Sequence, residues 1–152
     1  MSTIITTALA AEFAAALKTG LDGGKLYIFG GTPVPATASA PIAGSNTLLA
    51  TITVDGDGAT GLTFETPTTG ALSKNVSESW KCDGADVASG TATFYRFCED
   101  GDDGTTSDDT KVRVQGSVGN NPMVHDLVLS AVELANGTDV PIDAFQFAVP
   151  LG

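Results

Sequence analysis

From Lys25 onward the chain does not sustain one pattern for long: short runs of β-branched and aromatic residues are cut repeatedly by Gly, Asp, Asn and Pro. The runs are "KLYIF" (Lys25 to Phe29), "TLLATITV" (Thr47 to Val54), "GLTFET", "NVSESWKC", "TATFYRFC", "KVRVQGSV", "HDLVLSAVEL" and "DAFQFAV". Each is too short for a helix of useful length and rich in strand formers, which predicts roughly eight short strands. Turn signals every ~8–12 residues are the pattern of a β-sandwich or barrel. The expected fold is therefore mainly β, an antiparallel β-sandwich of jelly-roll-like form. No internal repeat suggests a solenoid or propeller.

One segment departs from this pattern. Ile5, Leu9, Phe13, Ala16 and Leu17 recur at helical spacing with alanines between them, and Gly20 is placed to stop the run. This predicts one short N-terminal helix over Thr3 to Lys18, giving residues 1–20 as the helix and 21–152 as a single β-sandwich domain. A chain of 152 residues is long enough to bury a core without disulfides or metals. The stretch "GGTPVPATASAPIAGS" carries Pro33, Pro35 and Pro41, which forbid regular ladder pairing and predict a long surface loop over Thr32 to Ala43.

Charge narrows the partners. Eighteen Asp plus Glu against seven Lys plus Arg give a net charge of −11, which repels nucleic-acid phosphate and anionic membranes. The Ala-rich N-terminus lacks a basic n-region and contains Glu12, so it does not read as a signal peptide. Nothing approaches the ~18 consecutive apolar residues of a membrane span. The expectation is a protein made in a cytoplasm and kept there until it is assembled into something.

Candidates for chemistry each have a simpler reading. "GDGATG" (Gly56 to Gly61) fits the dinucleotide fingerprint, but a strand pattern follows where a helix is required, so a turn is expected. Glu99, Asp100, Asp102, Asp103, Asp108 and Asp109 are the kind of oxygen ligands that calcium takes, yet they do not follow the calcium-loop order, and a solvated turn is expected. His125, the only histidine, stands beside Asp126 without a nucleophile-elbow motif. A hairpin folded about Gly90 would set Cys82 opposite Cys98, although two reduced, buried thiols fit a reducing compartment better. "NVS" at Asn75 and "NGT" at Asn136 match the glycosylation triplet but read as turn and strand-end residues in a chain that is not exported. The aromatic side chains, nearly all in predicted strands, are assigned to core packing. No catalytic, cofactor-binding or metal-binding residue is assigned.

Four short motifs carry a resemblance. "KLYIF" followed by "GGTPVPAT", then "TLLA", "GTATFYR" and "QGSVG" resemble a family of small tailed-bacteriophage virion proteins, whose members read K-L-R-I-Y with G-T-x-P-A-T, T-L-L-A, G-T-A-T-W-F-R and D-G-S-V-G. Here Tyr27 stands for the usual Arg, Phe94 and Tyr95 for Trp-Phe, and Gln115 for Asp. The likeness touches nearly the whole chain, and these motifs are its specific part. It implies a non-enzymatic structural protein on the capsid exterior of a virion, a decoration or cement protein often arranged as homotrimers, whose partners are its own copies and the major capsid protein. A tail-fibre or receptor-binding module that recognises a bacterial surface glycan through strand-borne aromatics is the alternative. In the first case Ile5, Leu9 and Phe13 are the expected subunit interface.

Overall fold

The computed structural model describes residues 3–148, and all structural statements concern those residues. The helix α1 runs Thr7–Leu21, later than the periodicity predicts. Thr6 supplies the reason: its hydroxyl accepts the Leu9 amide at 3.2 Å and caps the first turn, which leaves Ile5 ahead of the helix. Gly20 does not stop the helix; the chain turns at Gly23, whose φ of 86° suits glycine. Gly24 then passes so close to the Cys98 carbonyl that any Cβ would overlap it.

Ten strands follow: β1 (Lys25–Gly30), β2 (Thr47–Val54), β3 (Ala71–Ser73), β4 (Trp80–Cys82), β5 (Gly90–Cys98), β6 (Arg113–Gly119), β7 (Leu127–Val128), β8 (Glu133–Leu134), β9 (Val140–Ile142) and β10 (Gln146–Ala148). Seven form one curled sheet in the order β7-β6-β5-β1-β2-β4-β9, β8 adds to the start of β5, and β10 pairs with β3 as a separate ribbon. The pairs are antiparallel except β6 with β7. The fold is thus mainly β, sandwich-like, with one helix near the N-terminus. Both ends of the long sheet are blunted against strand addition: β7 has two residues, and β9 carries Pro141 at its centre.

The two faces of β5 explain the layers. Tyr95 and Phe97 point into the main core with Leu26, Ile28, Ile52, Leu72 and Trp80, where the β3–β10 ribbon, Phe64 and Leu21 of α1 close over the sheet. Phe94, Arg96 and Cys98 point the other way, and Phe94 stacks on Phe29 with ring centroids 5.1 Å apart. That outer face is covered by the Pro-rich segment between β1 and β2, so β5 is buried from both sides over Phe94 to Cys98. The helix presents Ala10, Ala14, Leu17 and Leu21 inward: the small Ala10 and Ala14 allow close approach, and Leu17 and Leu21 pack into the core.

"GLTFET" forms only isolated bridges, Gly24 with Leu62 and Phe64 with Lys74. Val76 is fully out in a turn, not in a strand with Trp80. "HDLVLSAVEL" splits into β7 and β8, and β3 and β9 arise where no strand is expected. Among the described residues, no helix is long and apolar enough to cross a membrane.

The cysteine geometry overturns the hairpin expectation. β4 pairs with β2 and β9, and β1 and β2 stand between β5 and β4. Three strand spacings of about 4.8 Å separate Cys82 from Cys98 across the sheet, about twice the reach of a disulfide. Both are buried free thiols. Burial pushes the Cys98 thiol up to about 12, with the Asp102 charge adding to the rise, and burial raises Cys82 as well. Native protein at pH 8 is expected to resist iodoacetamide, whereas denaturation without reductant exposes two alkylatable thiols; intact mass reads both, and a denatured chain that is alkylated only after a reductant is added would contradict this.

Candidate functional site

The best-built polar cluster lies on the outer face of the sheet. Arg96 has no exposed surface, and its cross-strand neighbours are Tyr27 on β1 and Gln115 on β6. Gln115 Oε1 accepts from Arg96 Nε at 3.1 Å and Nη2 at 2.5 Å. Arg96 Nη1 donates to the carbonyls of Ala40 at 2.8 Å and Gly104 at 2.5 Å, and Nη2 to that of Thr37 at 3.3 Å. Every direct acceptor of this guanidinium is uncharged. Burial lowers its pKa, yet a guanidinium stays charged at any physiological pH.

Two residues earlier on β6 than Gln115, on the same face, Arg113 binds Asp102 in a fork: Nε to Oδ2 at 2.6 Å and Nη2 to Oδ1 at 2.9 Å. Its Nη1 donates to Thr106 O at 2.9 Å and Ala38 O at 3.4 Å. Gln115 Nε2 donates to Pro35 O at 2.8 Å. Three side chains from two strands thus hold the carbonyls of Pro35, Thr37, Ala38 and Ala40. Backbone bonds from Ile42 N to Thr105 O (2.9 Å) and Asp108 N to Ser39 O (3.1 Å) tie the same segment to the acidic turn. The predicted surface loop exists, and it is clamped in one shape.

The acidic turn serves this clamp. Asp102 is spent on Arg113; Glu99 accepts from Val112 N at 2.9 Å and Lys111 Nζ at 3.0 Å; Asp103 and Asp108 cap the Thr105 and Thr110 amides at 2.9 and 2.8 Å. Among the described residues no group of three or more His, Cys, Asp or Glu converges as metal ligands. Tyr27 leans over the turn, its hydroxyl 3.3 Å from Asp102 O, and burial with the surrounding negative charges pushes its pKa up to about 12.

Arg113 holds the Asp102 carboxyl below its ordinary value; burial opposes this, and the Gly104 amide adds to the lowering. A carboxylate with a depressed folded pKa contributes stability that is present above its unfolded value of about 3.9 and lost as pH falls through the folded one. Each unit of depression is worth about 1.4 kcal/mol. Stability measured by urea titration is therefore expected to fall below about pH 4, and Asp102→Asn is expected to flatten that fall. An equally steep acid limb in the variant would remove Asp102 from the account.

The other sequence candidates lie apart from this cluster. In "GDGATG" the Asp57 carboxylate accepts the Ala59 and Thr60 amides, both at 2.8 Å, so the turn's own side chain occupies the N–H groups that a phosphate would need. His125 packs its ring against Gly119, while Asp126 accepts from Ser117 N at 2.8 Å and Oγ at 3.0 Å. Asn75 binds Ser77 and Thr63, and Asn136 donates to Ala85 O and Val87 O; both work as turn residues. Trp80, Phe64, Phe97 and Phe145 form one aromatic cluster, and Tyr95, Phe29 and Phe94 are equally buried. The stacking surface that a glycan module would take from strand-borne aromatics is turned inward. Of the residues expected at an interface, Ile5 is half-buried ahead of α1, whereas Leu9 is 38% and Phe13 48% exposed on the outer side of the helix.

The letters place Arg96 as a charge between Tyr95 and Phe97 but do not supply its acceptors, which are mostly backbone carbonyls. Arg113 was missed altogether; its position two residues before Gln115 on an alternating strand is the signal that places both on one face. No family model matches this chain, and neither curated proteins nor solved structures provide a match.

Proposed function

We propose that this protein is a non-enzymatic structural component of a phage virion, a decoration or cement protein that docks on the major capsid lattice. The observation that carries this reading is the convergence of the four resemblance motifs. They are scattered from Lys25 to Gly119 in sequence, yet they fall on β1, β2, β5 and β6, which are consecutive in the sheet as β6-β5-β1-β2. The G-T-x-P-A-T-like segment is the loop clamped onto that block. Two of the departures from the family pattern, Tyr27 and Gln115, flank Arg96 in a single cross-strand row. They are changes in one local charge cluster and leave the strand framework in place.

A particle-binding protein needs fixed shape and complementary area, and here the polar side chains on the outer face are used to fix shape. The exposed Leu9 and Phe13 of α1 offer contact area to a neighbouring subunit, with Ile5 at its margin. The direct test is binding to purified capsids of the cognate phage, read by co-sedimentation. The native chain is expected to bind in many copies per head, and Leu9→Ser with Phe13→Ser to bind more weakly while keeping its melting temperature. Cryo-EM density for a few copies at a tail tip, with none on the head, would overturn the capsid assignment.

A further inference from the structure

We infer that Asp100 is a self-modification site, at which the folded chain converts aspartate to isoaspartate. The chemistry is intrinsic to an Asp-Gly pair. The Gly101 amide nitrogen attacks Cγ of the protonated Asp100 carboxyl, and the amide proton and the hydroxyl leave together as water. The new N–Cγ bond closes a five-membered succinimide, which a Cβ on the second residue would crowd and glycine does not. Water then opens the ring at either carbonyl. One opening returns aspartate; the other leaves isoaspartate, whose main chain runs through the side-chain carboxyl and is longer by one methylene. No oxidant or cofactor enters.

Seven Asp-Gly or Asn-Gly pairs stand in the sequence, and hydrogen bonding separates them. At Asp22-Gly23, Asp57-Gly58, Asp83-Gly84, Asp103-Gly104 and Asn136-Gly137 the side chain and the glycine amide are both engaged. Asn-Gly is the most reactive of these pairs in an open chain, yet Asn136 Nδ2 donates to Val87 O at 2.8 Å and the Gly137 amide to Gly84 O at 2.7 Å. At Asp55-Gly56 the amide donates to Thr53 O at 3.4 Å, and a Cβ at Gly56 would stand 3.0 Å from the Asp83 nitrogen, which leaves little room for a ring. Among the described residues, Asp100-Gly101 alone of the seven has neither its carboxylate nor its amide hydrogen-bonded.

The turn also gives the reaction space. Asp102 N donates to Glu99 O at 3.2 Å, which sets Asp100 and Gly101 at the two central positions of a four-residue turn, and a φ of 79° suits glycine at the second of them. The amide between the central residues takes no part in the turn's own hydrogen bond. Both residues are exposed, and a Cβ at Gly101 would meet nothing within 4 Å. On either side the chain is anchored: Glu99 accepts from Val112 N and Lys111 Nζ, and Asp102 holds Arg113. The added methylene lengthens the chain between these anchors and loosens the fork on Arg113, so the modification marks the age of a folded chain at the point where its loop is clamped. The inference does not depend on the virion assignment.

Peptide mapping of the full chain, incubated folded in warm neutral buffer, tests it. Isoaspartate is counted by enzymatic methylation of its free carboxylate and located with a protease that cuts before aspartate but not before isoaspartate. Cleavage before Asp100 is expected to be lost progressively, while cleavage before the other aspartates persists and Asn136 keeps its amide. In denaturant the order should reverse, with Asn136-Gly137 reacting first. Asp100→Glu, at an exposed position without partners, keeps the charge and should abolish the folded-state signal, because its larger ring closes far more slowly. After equal incubation the native chain should show a larger drop in urea midpoint than the Asp100→Glu chain. An intact Asp100 in folded chains while denatured ones accumulate isoaspartate there, equal reaction at Asn136 in the folded chain, or an unchanged urea midpoint in a modified chain would each overturn the proposal.

Discussion

An Arg96→Met chain is expected to lose about 3–5 kcal/mol of stability, a large part of the ~5–15 kcal/mol typical of a folded domain. Methionine fills much of the same volume, so the loss comes from what is left behind. The carbonyls of Thr37, Ala40 and Gly104 and the amide oxygen of Gln115 all lose a charge-assisted donor in a place with little water. A buried acceptor without a partner costs about 1–3 kcal/mol. Urea unfolding gives the stability change, and native-state amide exchange should show faster opening at Ile42, whose partner Thr105 lies in the clamped region. A loss below about 1 kcal/mol would mean that water replaces the guanidinium at each carbonyl, and the clamp would then be no more than a surface contact.

The second large effect is in the opposite layer. Trp80→Ala should cost about 3–5 kcal/mol through the cavity it leaves. Trp80 is the meeting point of three rings, with Phe64 edge-on at 5.4 Å and Phe145 and Phe97 at 5.9 and 6.0 Å between centroids. Its indole N–H also donates to Glu78 Oε2 at 2.7 Å, and Lys74 Nζ sits 5.6 Å over the ring. Trp80→Phe separates packing from hydrogen bonding: it should recover most of the loss and leave about 1 kcal/mol for the missing N–H donor. Equal losses in the two variants would place the whole effect on the Glu78 bond. Because Arg96 and Trp80 lie on opposite faces of the sheet without a shared partner, their effects should add.

The strands that bury a side chain on alternate positions were legible because period-two alternation survives in the letters: β1, β2, β5 and β6 appear close to their expected places. The inward face of α1 was harder. Periodicity drew attention to Leu9 and Phe13, but the sheet accepts Ala10 and Ala14, and small residues carry little hydrophobic signal. β9 is invisible for a related reason, since Val140-Pro141-Ile142 has a proline where a ladder residue is expected, and only an edge position tolerates it. The hairpin that would set Cys82 opposite Cys98 failed on topology, while the reading as two reduced, buried thiols holds: nothing local says that β4 leaves β5 and joins β2. The clamp was half legible. Arg96, Gln115 and Asp102 are letters, whereas Thr37 O, Ala40 O and Gly104 O are backbone positions that become acceptors only once the loop is folded over the sheet.

The clamp also sets an order of events during folding. Its hydrogen bonds to the loop join residues 56 to 80 positions apart: Arg96 with Ala40, Arg113 with Ala38, Gln115 with Pro35. None can form until β5 and β6 lie side by side, so the loop docks late and the chain folds on the slower timescale of proteins dominated by distant contacts. Interactions completed after the rate-limiting step hardly change how fast a chain folds and chiefly govern how fast it comes apart. The clamp therefore acts as a latch on lifetime: with Arg96 in place the folded molecule persists, and without it the molecule still forms at nearly the same rate but survives for a shorter time.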